Sequence, residues 1–285
     1  MLPSELCTWL SDPGRRPLVM GILNLTPDSF ADGGKFALHD AALAHAEEMS
    51  ADGADWIDVG AESTRPGAQR VGAGEQLDRL GTLLVELRKR IPVVLSIDTT
   101  RALVAESALD AGFNVVNDIS AGLDDDALLP LIARHSAPTI LMHMQGQPAT
   151  MQSRPDYLNV THDVAGFLQE RIDAAKGAGV RSDRILVDPG IGFGKTLEHN
   201  LRLLRDLPEL IKIGAPLVIG TSRKGFIQKI TGEDAASGRL FGTAASVAWS
   251  VAQGASVVRV HDVGPMARVV KMVGAIRFGE SGAVT

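Results

Sequence analysis

Short runs of aliphatic and β-branched residues alternate with stretches of helical periodicity from Pro17 to Ile276. The runs predict strands at Leu18–Leu25, Trp56–Gly60, Val93–Thr99, Val115–Ser120, Thr139–Met144, Ile185–Asp188, Leu217–Thr221 and Val257–His261. Between them, apolar residues recur three or four positions apart, the spacing of one helical face. Leu77, Leu80, Leu84 and Leu87 form one such series; Val164, Phe167, Leu168 and Ile172 form another. Leu201, Leu204 and Leu207, and then Met266, Val269, Val270 and Val273, repeat the pattern. Gly53, Gly112, Gly179 and Gly254 fall between a helical stretch and the next strand, where glycine caps a helix.

Eight strands, each followed by a helix, predict an α/β protein: a single (β/α)8 TIM barrel with extended active-site loops after strands 1 and 2. The competing arrangement, a doubly wound open sheet, leaves two edge strands, whereas the first and last strands here are as apolar as the middle ones. At 285 residues the chain suits one barrel domain over 1–285, with a core at about 17–276. Residues 1–14 and 278–285 are expected to be loosely held tails.

Composition narrows the function. A net charge of -6 argues against nucleic acid and against an anionic membrane surface, so any anionic ligand needs a local cluster of cations. The lone cysteine, Cys7, allows neither an internal disulfide nor a cysteine-based zinc site. There is no apolar run of membrane-spanning length and no leader-like start. A cytoplasmic location is expected.

Polar residues gather at the strand ends, where barrels place their chemistry. Asn24, Asp58, Asp98, Asn117, His143, Asp188, Ser222-Arg223-Lys224 and Arg259-Val260-His261 all occupy such ends. Any one of the Asp, Asn or Ser residues could simply cap the next helix. All the strands converging on one rim is better explained by a polar ligand pocket. Arg259 and His261 are two apart, so both project from the same face of strand eight. A heterocycle with a phosphate tail suits this mixture of acceptors and cations.

Other motifs fail on inspection. Gly194-Lys195-Thr196 resembles the end of a phosphate-binding P-loop, but the first glycine of that motif would fall at Pro189. His39, His45, His135, His162 and His199 read as solvated or helix-end residues, and Met142-His143-Met144 as core packing. Two rim loops, Asn24–Gly34 and Glu62–Gly67, are rich in turn formers and polar groups and predict lids over a ligand.

Seven motifs in order resemble the dihydropteroate synthases. They are Asn24-Leu25-Thr26-Pro27-Asp28-Ser29-Phe30, Glu62-Ser63-Thr64-Arg65-Pro66-Gly67, Ser96-Ile97-Asp98-Thr99 and Val116-Asn117-Asp118-Ile119. Asp188-Pro189-Gly190-Ile191-Gly192-Phe193-Gly194-Lys195-Thr196, Ser222-Arg223-Lys224 and Arg259-Val260-His261-Asp262-Val263 complete them. Thr100-Arg101 depart from the commoner family residues at the start of a helix. The resemblance implies a homodimeric transferase that joins 6-hydroxymethyl-7,8-dihydropterin diphosphate to p-aminobenzoate with Mg²⁺ present, and it implies a sulfonamide target.

It also implies residue roles. Asp98, Asn117, Ile119, Met142, Asp188 and Lys224 would hold the pterin, and Asn24, Arg65, Arg259 and His261 the diphosphate. Thr64, Arg65, Pro66, Phe193 and Ser222 would hold p-aminobenzoate, with Asn24 the metal ligand and Asp98, Lys224, Arg259 and His261 catalytic. The sequence shows no serine, cysteine or lysine paired with a base for covalent catalysis, which favours diphosphate loss before amine attack. The rivals are a pterin-binding methyltransferase, which has no use for a diphosphate clasp, and a non-catalytic paralogue. Gly242–Trp249 and Met266–Ile276 are the expected dimer helices.

Overall fold

Residues 1–25, 34–65 and 67–279 are described by the structure, a computed structural model. Residues 26–33 of the first rim loop, Pro66 of the second and 280–285 lie outside the described residues. All eight expected strands form: β1 (Leu18–Asn24), β2 (Trp56–Gly60), β3 (Val94–Asp98), β4 (Val115–Asp118), β5 (Thr139–Met142), β6 (Ile185–Asp188), β7 (Val218–Ile219) and β8 (Val257–Val260). They make one sheet in the order β6-β5-β4-β3-β2-β1-β8-β7, with every pairing parallel. A bridge between Val187 and Leu217, with Val187 N–H donating to the Pro216 carbonyl at 3.0 Å, joins the two ends into a barrel. Closure is sparse there because β7 has two residues and Pro216 brings no N–H.

The helices are α1 (Leu6–Ser11), α2 (Gly34–Ala51), α3 (Ala73–Leu80), α4 (Leu83–Arg90), α5 (Ala102–Asp110) and α6 (Leu128–His135). They continue with α7 (Val160–Gly177), α8 (Leu197–Arg205), α9 (Leu207–Ile211), α10 (Gly225–Thr231), α11 (Leu240–Ala252) and α12 (Val263–Phe278). Gly53, Gly112, Gly179 and Gly254 take φ between +95° and +108°, the left-handed turn that ends a helix before a strand. Two expected helices are each broken in two. The Leu77–Leu87 series splits at Gly81, and Pro208 in the first turn of α9 separates Leu207 from Leu201 and Leu204.

Side chains alternate across each strand. The outward set, including Val19, Leu23, Ile57, Leu95, Val116, Leu141 and Val258, joins the helices in a continuous apolar layer. The inward set begins apolar: Leu18, Met20, Trp56, Val94, Val115, Ile140, Leu186, Val218 and Val257 pack together inside the barrel. One step further along the strands it turns polar, with Asp58 opposite Ile22 and Ser96, Asp98 opposite Asn117, and Asp188 opposite Met142. This switch separates a stabilising end from a chemical end.

The first fourteen residues are not a loose tail. Leu6, Trp9 and Leu10 join the apolar inner cluster and plug the barrel's N-terminal end, and Trp9 Nε1 donates to the Arg16 carbonyl at 2.9 Å. Without α1 the inner cluster would meet water. His39 is likewise buried rather than solvated, its ring Nε2 lying 2.8 Å from the Arg79 carbonyl. Trp9→Ala should therefore lower unfolding free energy by about 3 kcal/mol in urea denaturation, with kcat/KM changed by less than about twofold. A stability loss below about 1 kcal/mol would show the plug to be dispensable.

Candidate active site

A cavity of about 800 Å³ opens at the C-terminal ends of the strands. Asn24, Thr64, Arg65, Asp98, Asn117, Ile119, Met142, Asp188, Phe193, Ser222, Lys224, Arg259 and His261 all line it. Asp58 and His143 of the polar strand ends do not line the cavity, whereas every described residue to which the resemblance assigns a ligand is thus brought together. Pro66 is the one outside the described residues.

The floor is an ionic cluster. Arg259 Nε donates to Asp58 Oδ2 at 2.7 Å and its Nη2 to Asp98 Oδ2 at 2.8 Å. Burial opposes charge on Arg259, but Asp58 and Asp98 outweigh it and raise its pKa. Burial pushes the Asp98 carboxyl up to about 7, with Arg259 opposing the shift. Asp188 is also raised by burial, against the pull of Lys224, and its Oδ1 accepts the Gly190 N–H at 2.7 Å. Burial lowers Lys224 to about 8, while Asp188 holds it up; its Nζ donates to the Ile191 carbonyl and lies 4.7 Å from the Phe193 ring centroid.

His261 corrects an expectation. Burial, with Arg223 and Arg259 nearby, lowers its pKa to about 3, so it is a neutral imidazole rather than a cation. Its Nδ1 lies 3.0 Å from Ser222 Oγ. Ser222 Oγ also accepts the His261 backbone N–H at 3.1 Å; with its hydroxyl proton turned to Nδ1, the remaining ring proton would be on Nε2. The expectation of no serine paired with a base for covalent catalysis did not foresee this contact, in which Ser222 lies against the His261 ring. Arg223 holds the intervening turn at φ +58°, with its guanidinium on Asp262.

The loop after β6 is built on the loop after β5. At Gly190 (φ +66°) a Cβ would overlap the His143 carbonyl, and at Gly194 the Gln145 carbonyl. Lys195 is buried and donates to His143 Nδ1 at 2.9 Å and to the Phe193 carbonyl at 2.9 Å. Burial first, then Lys195, lowers His143 to about 3, which leaves its ring nitrogen free to accept. Lys195 therefore anchors Phe193, and no phosphate site is formed by Gly194-Lys195-Thr196. Gln152 Nε2 donates to the Gly192 carbonyl at 2.6 Å and Tyr157 OH to the Gly194 carbonyl at 2.7 Å.

Of the second lid, Gly67 N–H donates to the Pro148 carbonyl at 3.0 Å, and Glu62 accepts from Val71 N–H and from Gln76 Nε2. Thr100 takes part too, accepting from Arg70 Nη2 at 3.2 Å, so this departure from the family pattern serves the base of the lid. Asp58 was expected only as one of the polar strand ends and Lys195 only within a glycine-rich motif, neither with a ligand role. Period-two spacing back from Gly60 turns Asp58 inward, whereas the His143 partner of Lys195 is distant in sequence.

A parallel (β/α)8 barrel with a charged pocket at its C-terminal rim belongs to a class built for small-molecule chemistry. Residues 20–261 match the family model described as pterin binding enzyme. A dihydropteroate synthase of Synechocystis is 46% identical over 267 residues, covering 94% of this chain and 92% of that one. A Xanthomonas albilineans dihydropteroate synthase solved with 4-aminobenzoic acid superposes with a TM-score of 0.87 at 39% identity, over 93% of this chain and 94% of that one. The same organism's enzyme with 7,8-dihydropteroate gives 0.84 at 36%, over 94% and 96%. The chain belongs to the pterin-binding enzymes, among the dihydropteroate synthases, and is a transferase.

An acceptor role for Asp98 requires its carboxylate form. Its pKa near 7 therefore makes pterin binding strengthen about fivefold from pH 6 to pH 7, and loss of the Lys224 proton near 8 weakens it again above that. Calorimetry over this range tests both limbs. The acid limb should vanish in Asp98→Asn, and a flat profile for the unaltered enzyme would remove Asp98 from the contact.

Proposed function

We propose that the chain condenses 6-hydroxymethyl-7,8-dihydropterin diphosphate with p-aminobenzoate to give 7,8-dihydropteroate and diphosphate. The observation that carries this is the division of one pocket. Asp98, Asn117 and Asp188 place acceptors near its floor, Met142 and Ile119 give apolar faces, and Asn24, Arg65, Arg259 and His261 gather where β8, β1 and β2 adjoin. A pterin edge, with its ring N–H and exocyclic amine side by side, suits a two-pronged contact with Asp188. Phe193, Ser222 and Thr64 border the remaining space, in keeping with the 4-aminobenzoic acid held by the Xanthomonas relative.

In this reading the bond from the pterin methylene to the diphosphate oxygen breaks first. The electron-rich dihydropterin ring shares the resulting positive charge, Asp98 stabilises it, and diphosphate leaves with the electron pair. Arg259 and neutral His261 receive the departing charge, one as a guanidinium and the other through Nε2–H. The arylamine nitrogen then forms the new bond to the methylene and gives up a proton.

Asn24 fits a magnesium ion brought with the diphosphate. This residue ends β1 opposite Gly60 and lines the pocket together with Arg65, Arg259 and His261, the residues proposed for the diphosphate. One amide oxygen, supplemented by phosphate oxygens and water, matches the coordination Mg²⁺ prefers. When bound, the ion would neutralise charge on the leaving diphosphate.

A cytoplasmic homodimer completes the proposal. The lone exposed thiol of Cys7 suits a reducing compartment. Phe241 on α11 and Met272 and Ile276 on α12 are 86%, 62% and 71% exposed, an apolar surface of the kind a two-fold contact covers. Light scattering at micromolar concentration should give twice the 30.1 kDa chain mass; a monomer would refute the contact.

Turnover tests the activity itself. 7,8-Dihydropteroate should form only when both substrates are supplied, which separates this reading from a methyltransferase and from a non-catalytic pterin binder. Asp188→Asn puts an amide donor against pterin donors and should cost about 2 kcal/mol or more of pterin affinity in calorimetry. Affinity unchanged within about threefold would refute the Asp188 contact.

A further inference from the structure

Asp58 lies under the pocket rather than in it. Its side chain is fully buried on β2, and it is absent from the cavity lining that Asn117, Asp98 and Arg259 share. Its carboxylate nevertheless governs two of those residues. Oδ2 accepts from Asn117 Nδ2 at 2.9 Å and from Arg259 Nε at 2.7 Å. Oδ1 accepts from Ser96 Oγ, which is itself held by Trp56 Nε1 at 2.8 Å.

The chemistry of this cluster decides which way Asn117 points. A carboxylate has no proton to give, so the atom of Asn117 that meets Asp58 has to be the amide nitrogen. The Asn117 carbonyl oxygen is then the atom left for the pocket. Arg259 is treated alike: Asp58 takes Nε and Asp98 takes Nη2, which fixes the plane of the guanidinium beside the ligand. An amide free to rotate could turn either its nitrogen or its oxygen to a ligand; one whose nitrogen is tied to Asp58 keeps its carbonyl oxygen on the pocket side.

We infer that Asp58 is a positioning residue that sets specificity, holding the Asn117 carbonyl oxygen toward the pocket as the acceptor for a ring-edge N–H of the pterin. This rests on the reading that a pterin occupies the pocket. A heterocycle that turned a lone pair toward Asn117 would meet oxygen against lone pair and be rejected. The Ser96–Trp56 chain keeps Asp58 itself from turning.

The test is a double-mutant cycle read by calorimetry with 6-hydroxymethyl-7,8-dihydropterin, which carries no diphosphate and so isolates the ring contacts. Asp58→Asn should weaken binding about tenfold or more. In an Asn117→Ala background the same change should weaken it by less than about threefold, because the amide it oriented is gone. KM for p-aminobenzoate should stay within about twofold of the unaltered enzyme, a split that general loosening of the barrel would not produce. Equal loss in both backgrounds, or no loss in either, overturns the inference while leaving the function intact. If the unaltered enzyme fails to bind the pterin, the functional reading falls and this inference with it. Should Asp58→Asn fail to fold by circular dichroism, Ser96→Ala takes its place, since it removes a hydrogen bond to Asp58 without touching Asn117 or Arg259. It should weaken binding about threefold or more, again only when Asn117 is present, and unchanged affinity would overturn the inference.

Discussion

One guanidinium shared by two buried carboxylates is what allows the inside of this barrel to be polar. Asp58, Asp98 and Asp188 all project inward within a few residues of the rim, and burial raises the latter two. Without a cation among them, such groups would neutralise or drive the strands apart. Arg259 meets Asp58 and Asp98 directly, and Lys224 faces Asp188 electrostatically from the loop after β7, the neighbouring strand across the barrel's closure. The cost of burying these charges is supported by the apolar layers beneath and outside them. The pocket is thereby prepared for a ligand before one arrives.

The rim loops repeat that division of labour. Lys195 and His143 lock the loop after β6 to the loop after β5, with glycines at 190 and 194 where the two backbones run too close for a side chain. Phe193 is carried on the locked segment, whereas Thr64 and Arg65 sit on a connection tied down by Gly67 at one place and Glu62 at another. One wall of the second subsite is therefore rigid and the other is held at its base.

Most of the architecture was legible because a parallel barrel repeats one simple signal, a short apolar run and then an amphipathic helix. The strand positions and the polar strand ends followed directly. What escaped were features that depend on partners distant in sequence. Nothing near Trp9 announces that it joins the cluster of Val94, Val218 and Val257, and nothing near Lys195 announces His143. The charge state of His261 was misjudged for the same reason, since it is set by burial and by Arg223 and Arg259 rather than by the residue type. Asp58 lay in plain view at a strand end, but its importance comes from sitting one layer below the residues that touch the cavity.

The plug at the bottom of the barrel sets a timetable for synthesis. Leu6, Trp9 and Leu10 are synthesised long before Val218 and Val257, the residues of β7 and β8 with which they share one apolar cluster. During translation that apolar helix has no finished seat, and the barrel has no floor until its eighth strand arrives. Contacts of such long sequence separation are slow to form. The tryptophan-bearing helix is therefore among the last elements to find its place, and it stays uncovered until the strands that seat it have been made.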